Sequence, residues 1–161
     1  MMKRNLEATL LALAPALGAA QHPWWILGSA AVVLHGADLK EVWDVDVLLD
    51  QRDCAAVLGE LGLVPKPGQA DAQFRSAVFN RWNGANLPVE LFAGFSLCED
   101  GVWSEFVPQT RVAASLGAVQ VFVPERAELV DLLRRFGRAK DQLRITALNE
   151  SGPSPSRSET A

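Results

Sequence analysis

The chain has 161 residues, 49% of them hydrophobic and 21% charged, with a formal net charge of −4. That length sets a single domain with its own core as the starting expectation. The negative charge argues against a protein that coats nucleic acid, yet leaves room for a nucleotide or an RNA end at a local basic patch.

Two cysteines, Cys54 and Cys98, have no paired spacing and only two histidines accompany them. This argues against a zinc centre and for free thiols in a reducing compartment. No run reaches the ~18 apolar residues of a membrane span.

At the N-terminus, Lys3-Arg4 followed by the apolar stretch 10–20 has the layout of a signal peptide. Glu7 interrupts that layout, and Leu6, Leu10, Leu13 and Leu17 fall at i, i+4, i+7 and i+11, the stripe of an amphipathic helix. The reading adopted is a packing helix of a cytoplasmic protein, with Asn5 as its N-cap and Pro15 as a kink or stop. Residues 24–27 are a short apolar run suited to a buried strand. Gly28-Ser29 breaks it, residues 30–34 suit a short helix capped by Ser29, and His35-Gly36 closes that helix.

A second strand is expected over residues 42–49. Alternate side chains on a strand face opposite sides, so Asp44 and Asp46 share one face while Val45 and Val47 share the other, where they can be buried. Two carboxylates side by side repel unless a cation lies between them, and a hard divalent cation with oxygen ligands, most often Mg²⁺, is the usual solution. The Gly28-Ser29 turn offers backbone N–H groups and a hydroxyl, a setting that attracts phosphate. Phosphate binding beside metal-binding aspartates is the equipment of phosphoryl or nucleotidyl transfer.

Further along, residues 50–53 read as an acidic helix entry and 54–61 as its body, with Ala55, Leu58 and Leu61 on one side and Gly62 at the end. Residues 63–72 are loop-like. Residues 74–82 and 87–92 are β-rich around the turn signal Asn83-Gly84-Ala85-Asn86, a hairpin that puts Glu90 on its second strand. Residues 93–107 read as irregular. A second hairpin is expected around Leu116-Gly117, then a helix entered through Pro124 with Leu129, Leu132, Leu133 and Phe136 as its apolar face. After Gly137 a last helix spans about 138–148. The domain is expected over 1–149, and the Ser/Pro-rich residues 150–161 as a disordered tail. Five tryptophans are many for this length; core packing or a partner surface is the preferred reading, with base stacking by Trp82 or Trp103 as the alternative.

Gly28-Ser29, His35-Gly36 and Asp44-Val45-Asp46 together resemble the signature of the DNA polymerase β-like nucleotidyltransferase superfamily, in particular its small bacterial members. The resemblance extends over about residues 22–148. It implies an α/β (α+β) nucleotidyltransferase fold, a small mixed sheet backed by helices. It also implies transfer of an NMP from an NTP to a hydroxyl, with Mg²⁺ held by Asp44, Asp46 and a third carboxylate, for which Glu90 is the candidate. Gly28 and Ser29 would contact phosphate. Lys140, in the run Arg138-Ala139-Lys140-Asp141 that resembles a closing element of the family, would contact the triphosphate.

The acceptor left open by the resemblance is a protein side chain, an RNA end or a small molecule such as an antibiotic. A partner protein or a homodimer mate would complete the site, as resembles the small enzymes of toxin–antitoxin systems. Small members also carry an Arg-x-Thr run before the aspartates, where this chain has Lys40-Glu41-Val42-Trp43. That departure motivates the alternative, a catalytically inactive binding or regulatory module on the same fold.

Overall fold

Leu6, Leu10, Leu13 and Leu17 are all buried on one side of the first helix, α1 (Met2–Leu17), as their spacing requires. The computed structural model describes residues 2–151. Asn5 lies inside α1 rather than capping it, and the helix passes through Pro15. So near the C-terminus a proline removes only one helical hydrogen bond.

Strand β1 (Trp25–Leu27) leads directly into α2 (Gly28–Leu34). Ser29 is not the cap: Leu27 occupies that position without a side-chain bond, and Ser29 is buried within the first turn. His35 caps the other end, with Gly36 following at φ 89°. Strand β2 (Val45–Leu49) follows, shorter than expected. Asp50 then accepts from the Arg52 N–H to start a short 3₁₀ turn. Helix α3 (Cys54–Glu60) buries Cys54, Val57 and Leu58, while Ala55 is exposed. The inward stripe therefore starts at Cys54, one residue earlier than expected.

The β-rich middle contains β3 (Phe74–Arg75), β4 (Val78–Trp82) and β5 (Val89–Ala93). The region expected to be irregular instead holds a hairpin, β6 (Ser96–Glu99) and β7 (Val102–Glu105). Its two-residue turn is Asp100-Gly101, at φ 51° and 78°. Both values lie in the left-handed region that Asp-Gly tolerates and tight hairpins require. The second expected hairpin is β8 (Val112–Leu116) with β9 (Val119–Val123). Helix α4 (Arg126–Phe136) starts after Glu125, so Pro124 precedes the cap rather than opening the first turn. Gly137, at φ 66°, ends it. Helix α5 (Ala139–Glu150) runs two residues past its expected end. Of the segment expected as a tail, Glu150 is helical, and residues 152–161 lie outside those described.

The main sheet has the order β1-β2-β5-β4. β2 and β5 are parallel, and the outer pairings are antiparallel, so the sheet is mixed and the fold α+β. Its two faces separate two cores. Ile26, Val45, Val47, Val89 and Leu91 are fully buried and join the α1 leucines and the small residues of α2 in the larger cluster. Burying each such side chain stabilises by about 1.5–3 kcal/mol. On the opposite face Trp25, Leu27, Leu48 and Phe92 join Phe95, Leu97, Phe106 and Leu132 in a smaller cluster. Among the described residues no helix is long and apolar enough to cross a membrane.

Candidate active site

The site grows out of the second face of the sheet. Parallel register sets Asp46 beside Glu90, and antiparallel register sets Glu90 beside Arg81. Leu27 of β1 sits on the other side of Asp46. One row across four strands therefore reads Leu27, Asp46, Glu90, Arg81. The next row reads Trp25, Leu48, Phe92, Phe79.

Asp44, one residue before β2, adds its carboxylate to the first row. Asp44, Asp46 and Glu90 each offer one oxygen, and these oxygens all lie within 4.8 Å of one another. All three residues are half-buried. The electrostatics record the crowding: burial, then the charges of Asp44 and Glu90 and a hydrogen bond with Glu90, push the Asp46 carboxyl up to about 8, with Arg144 pulling the other way. Glu90 is itself paired, its Oε2 3.3 Å from Arg81 Nη1.

Gly28 has a steric reason to be glycine. It sits at φ 66°, and a Cβ there would come 2.7 Å from Asp46 Oδ2. Only a residue without a side chain lets the start of α2 lie against that carboxylate. Ser29 is buried and does not line the cavity beside the acids. Lys140 is exposed and does not line it either.

That cavity measures about 520 Å³, with Gly28, Asp46 and Glu90 in its wall. Two arginines of the C-terminal segment line it, Arg138 and Arg144. The fully buried Asp141 holds both. It accepts from Arg138 Nε at 2.7 Å and Nη2 at 3.1 Å, from the Arg138 backbone N–H at 3.1 Å, and from Arg144 Nη1 at 3.4 Å. The spacing 138, 141, 144 explains this, because residues three apart share a helix face. Arg144 is a residue sequence reasoning passed over, and that i, i+3 spacing to a buried acid was the available signal.

The rest of the wall is aromatic. Phe79 stacks on Phe92 with centroids 6.4 Å apart, Phe92 meets Phe95 at 5.2 Å, and Phe74 meets Phe136 at 4.9 Å. All five phenylalanines line the cavity. Neither Trp82 nor Trp103 does; Trp82 packs on the larger core and Trp103 lies under Arg75. An acidic corner, a pair of held arginines and an aromatic wall are complementary to a metal ion, a polyphosphate and a flat ring.

No family model and no curated protein matches the sequence. Solved structures do match. A proposed nucleotidyltransferase from Thermotoga maritima superposes with a TM-score of 0.69 at 19% identity, covering 89% of this chain and 92% of that one. The lincosamide antibiotic adenylyltransferase LnuA, solved with lincomycin, gives 0.56 at 14% identity over 88% of this chain and 94% of its own. The antibiotic-resistance factor ANT(2″)-Ia, solved with adenylyl-2″-tobramycin, gives 0.54 at 11% identity over 87% and 86%. The chain shares the fold of these nucleotidyltransferase structures.

Proposed function

We propose that the protein transfers an NMP from an NTP to a hydroxyl group, with Asp44, Asp46 and Glu90 holding Mg²⁺. The observation that carries this reading is the convergence of three carboxylates beside a cavity whose wall also carries two anchored arginines. The donor set fits the ion: three oxygen ligands, half-buried, with Asp46 held high by burial and then by like charge, both of which a cation offsets. Once bound, the cation supplies Lewis acidity, lowering the pKa of the attacking hydroxyl and offsetting charge on the phosphates.

The chain's own residues do the remainder. Arg138 and Arg144, fixed by Asp141, pair with the triphosphate and with the charge that grows on it. In this reading they take the role that the resemblance implied for Lys140. Gly28 leaves room for the phosphate chain to approach Asp46, and Ser29 supports that turn from within. The phenylalanines receive the base and keep water from the α-phosphate. The acceptor oxygen bonds to the α-phosphorus as the bond to the α,β-bridging oxygen breaks. The hydroxyl proton passes to Glu90, and pyrophosphate leaves.

A nucleotide substrate fits a cytoplasmic location. The acceptor classes are a small molecule, in keeping with the antibiotic-modifying structural neighbours, a protein side chain or an RNA end. A partner protein or a second copy would supply further acceptor contacts. One observation favours a second reading, a nucleotide-binding module without turnover: Glu90 is engaged by Arg81.

Transfer of label from [α-³²P]NTPs to acceptor mixtures decides between them. Mg²⁺-dependent labelling that drops at least about 100-fold in Asp44→Asn and Asp46→Asn supports the enzyme, since charge-stabilising groups at such sites carry 10²–10³ in rate. Mg²⁺-dependent nucleotide binding with no transfer to any acceptor supports the module.

A further inference from the structure

The guanidinium closing the row Asp46, Glu90, Arg81 has no part in the reaction just described. Arg81 lies directly across from Glu90 in the antiparallel ladder, and its Nη1 is 3.3 Å from Glu90 Oε2. It shares a strand face with Phe79, two residues before it, whose side chain lines the cavity. The side chain of Arg81 is half exposed, at 51%, so it can swing without disturbing the core. Glu90 is the member of the acidic cluster with an arginine on it in the hydrogen-bond network of the described residues.

We propose that Arg81 is a tethered counter-ion that competes with free divalent cations for Glu90 and so makes the site prefer a cation already chelated by a nucleotide. This rests on the reading of Asp44, Asp46 and Glu90 as cation ligands. A bare cation must displace the guanidinium from Glu90 and stay beside its positive charge. A cation–nucleotide complex brings polyphosphate oxygens with it, and the released guanidinium, on the cavity-facing side of β4, pairs with them instead. The same side chain thus opposes one form of the cation and assists the other. Arg81 acts here as a positioning and selecting residue, with no bond to the reacting atoms.

The test is binding, not turnover. Mn²⁺ affinity is read by electron paramagnetic resonance for the wild type and for Arg81→Gln. The affinity of the Mn²⁺ complexes of α,β-methylene ATP and α,β-methylene GTP is then read by calorimetry. Arg81→Gln is expected to bind free Mn²⁺ roughly three- to tenfold more tightly, as removal of one partly exposed charge near a cation implies. It is expected to bind the Mn²⁺–nucleotide complexes more weakly by a similar factor.

Arg81→Lys keeps the charge without the planar fork and is expected to fall between the two proteins. Arg52→Gln, a distant exposed arginine paired to Asp50, is expected to match the wild type in both assays. Weaker or unchanged free-Mn²⁺ binding by Arg81→Gln overturns the competition. Tighter binding of both ligand forms overturns the selection. A wild type that binds neither Mn²⁺ nor the complexes overturns the underlying cation-site reading itself.

Discussion

Asp46→Asn is expected to make the metal-free protein more stable, by a margin that grows as pH rises from about 4 to 8. Two unit charges 4.8 Å apart repel by about 3 kcal/mol at an effective dielectric of ~20 and about 1 kcal/mol in water. Asp46 faces two such neighbours, Asp44 and Glu90, in addition to its burial. Its carboxyl rises from 3.8 to about 8, and at ~1.4 kcal/mol per pKa unit that sets a ceiling of about 5–6 kcal/mol. Half-exposed side chains can swing apart, so about 2–4 kcal/mol is the working figure.

The sign follows from proton counts. Between pH 4 and 8 the native state holds a proton on Asp46 that the unfolded state has released. The wild type therefore loses stability as pH rises through that window, and the amide variant does not. Thermal melts in chelator should show the two proteins nearly equal at pH 4.5. At pH 8 the variant should melt about 4–16 °C higher, at ~2–4 °C per kcal/mol for a chain of this size. Adding Mg²⁺ should raise the wild type's melting temperature and leave the variant's unchanged. A variant less stable than wild type at pH 8 in chelator, or an advantage that does not vary with pH, would refute the crowded-carboxylate argument.

Gly28→Ala places a Cβ at φ 66° and 2.7 Å from Asp46 Oδ2. It should cost about 1–3 kcal/mol in urea melts and weaken Mg²⁺-dependent nucleotide binding, both by strain and by displacing the carboxylate. Asp141→Asn frees Arg138 and Arg144 from a fully buried anchor. Breaking a buried pair costs about 3–5 kcal/mol, and the partial exposure of Arg138 puts this one near 3; calorimetry should show NTP affinity falling with it.

Asp53 ties the chain ahead of β1 to the turn after β2, accepting from the Gln21 and His22 N–H groups at 3.1 and 2.9 Å and pairing with the His22 ring. Burial pushes its carboxyl up, but those bonds outweigh it and hold the carboxyl below its usual range. Its stabilisation is therefore present above the unfolded value near 4 and lost as pH falls through the lower folded one. Asp53→Ala should destabilise by about 1–3 kcal/mol at pH 7 and by less at pH 3, as read by denaturant titration.

The parts of this molecule that repeat at a fixed period were legible in its sequence. Leucines at helical spacing gave α1, and Asp44-Val45-Asp46-Val47 alternated so plainly that both faces of β2 could be assigned. The β4–β5 hairpin followed from its turn, and with it the strand that carries Glu90. What pairs β5 with β2 is long-range register, which no local pattern encodes.

The β6–β7 hairpin is a different case. Asp100-Gly101 is a strong turn signal, but Ser96 to Glu99 alternates too weakly to mark a strand around it. At the site, the shared face of Asp44 and Asp46 was legible from their alternation, Glu90 joined them only through the family resemblance, and the cavity wall was not legible at all. Phe74, Phe79, Phe92, Phe95 and Phe136 come from four strands or loops and a helix, and only the fold assembles them. Lys140 and Arg144 illustrate the same limit. Both are cations on α5, and which one turns to the cavity depends on where the buried Asp141 docks the helix.

The most direct test of the account is anomalous diffraction from crystals grown with Mn²⁺ and α,β-methylene ATP or GTP. One strong Mn²⁺ peak is expected within coordination distance of oxygens of Asp44, Asp46 and Glu90, with the triphosphate reaching Arg138 and Arg144. Nucleotide bound with no peak at those carboxylates, or a peak held elsewhere on the chain, would contradict it.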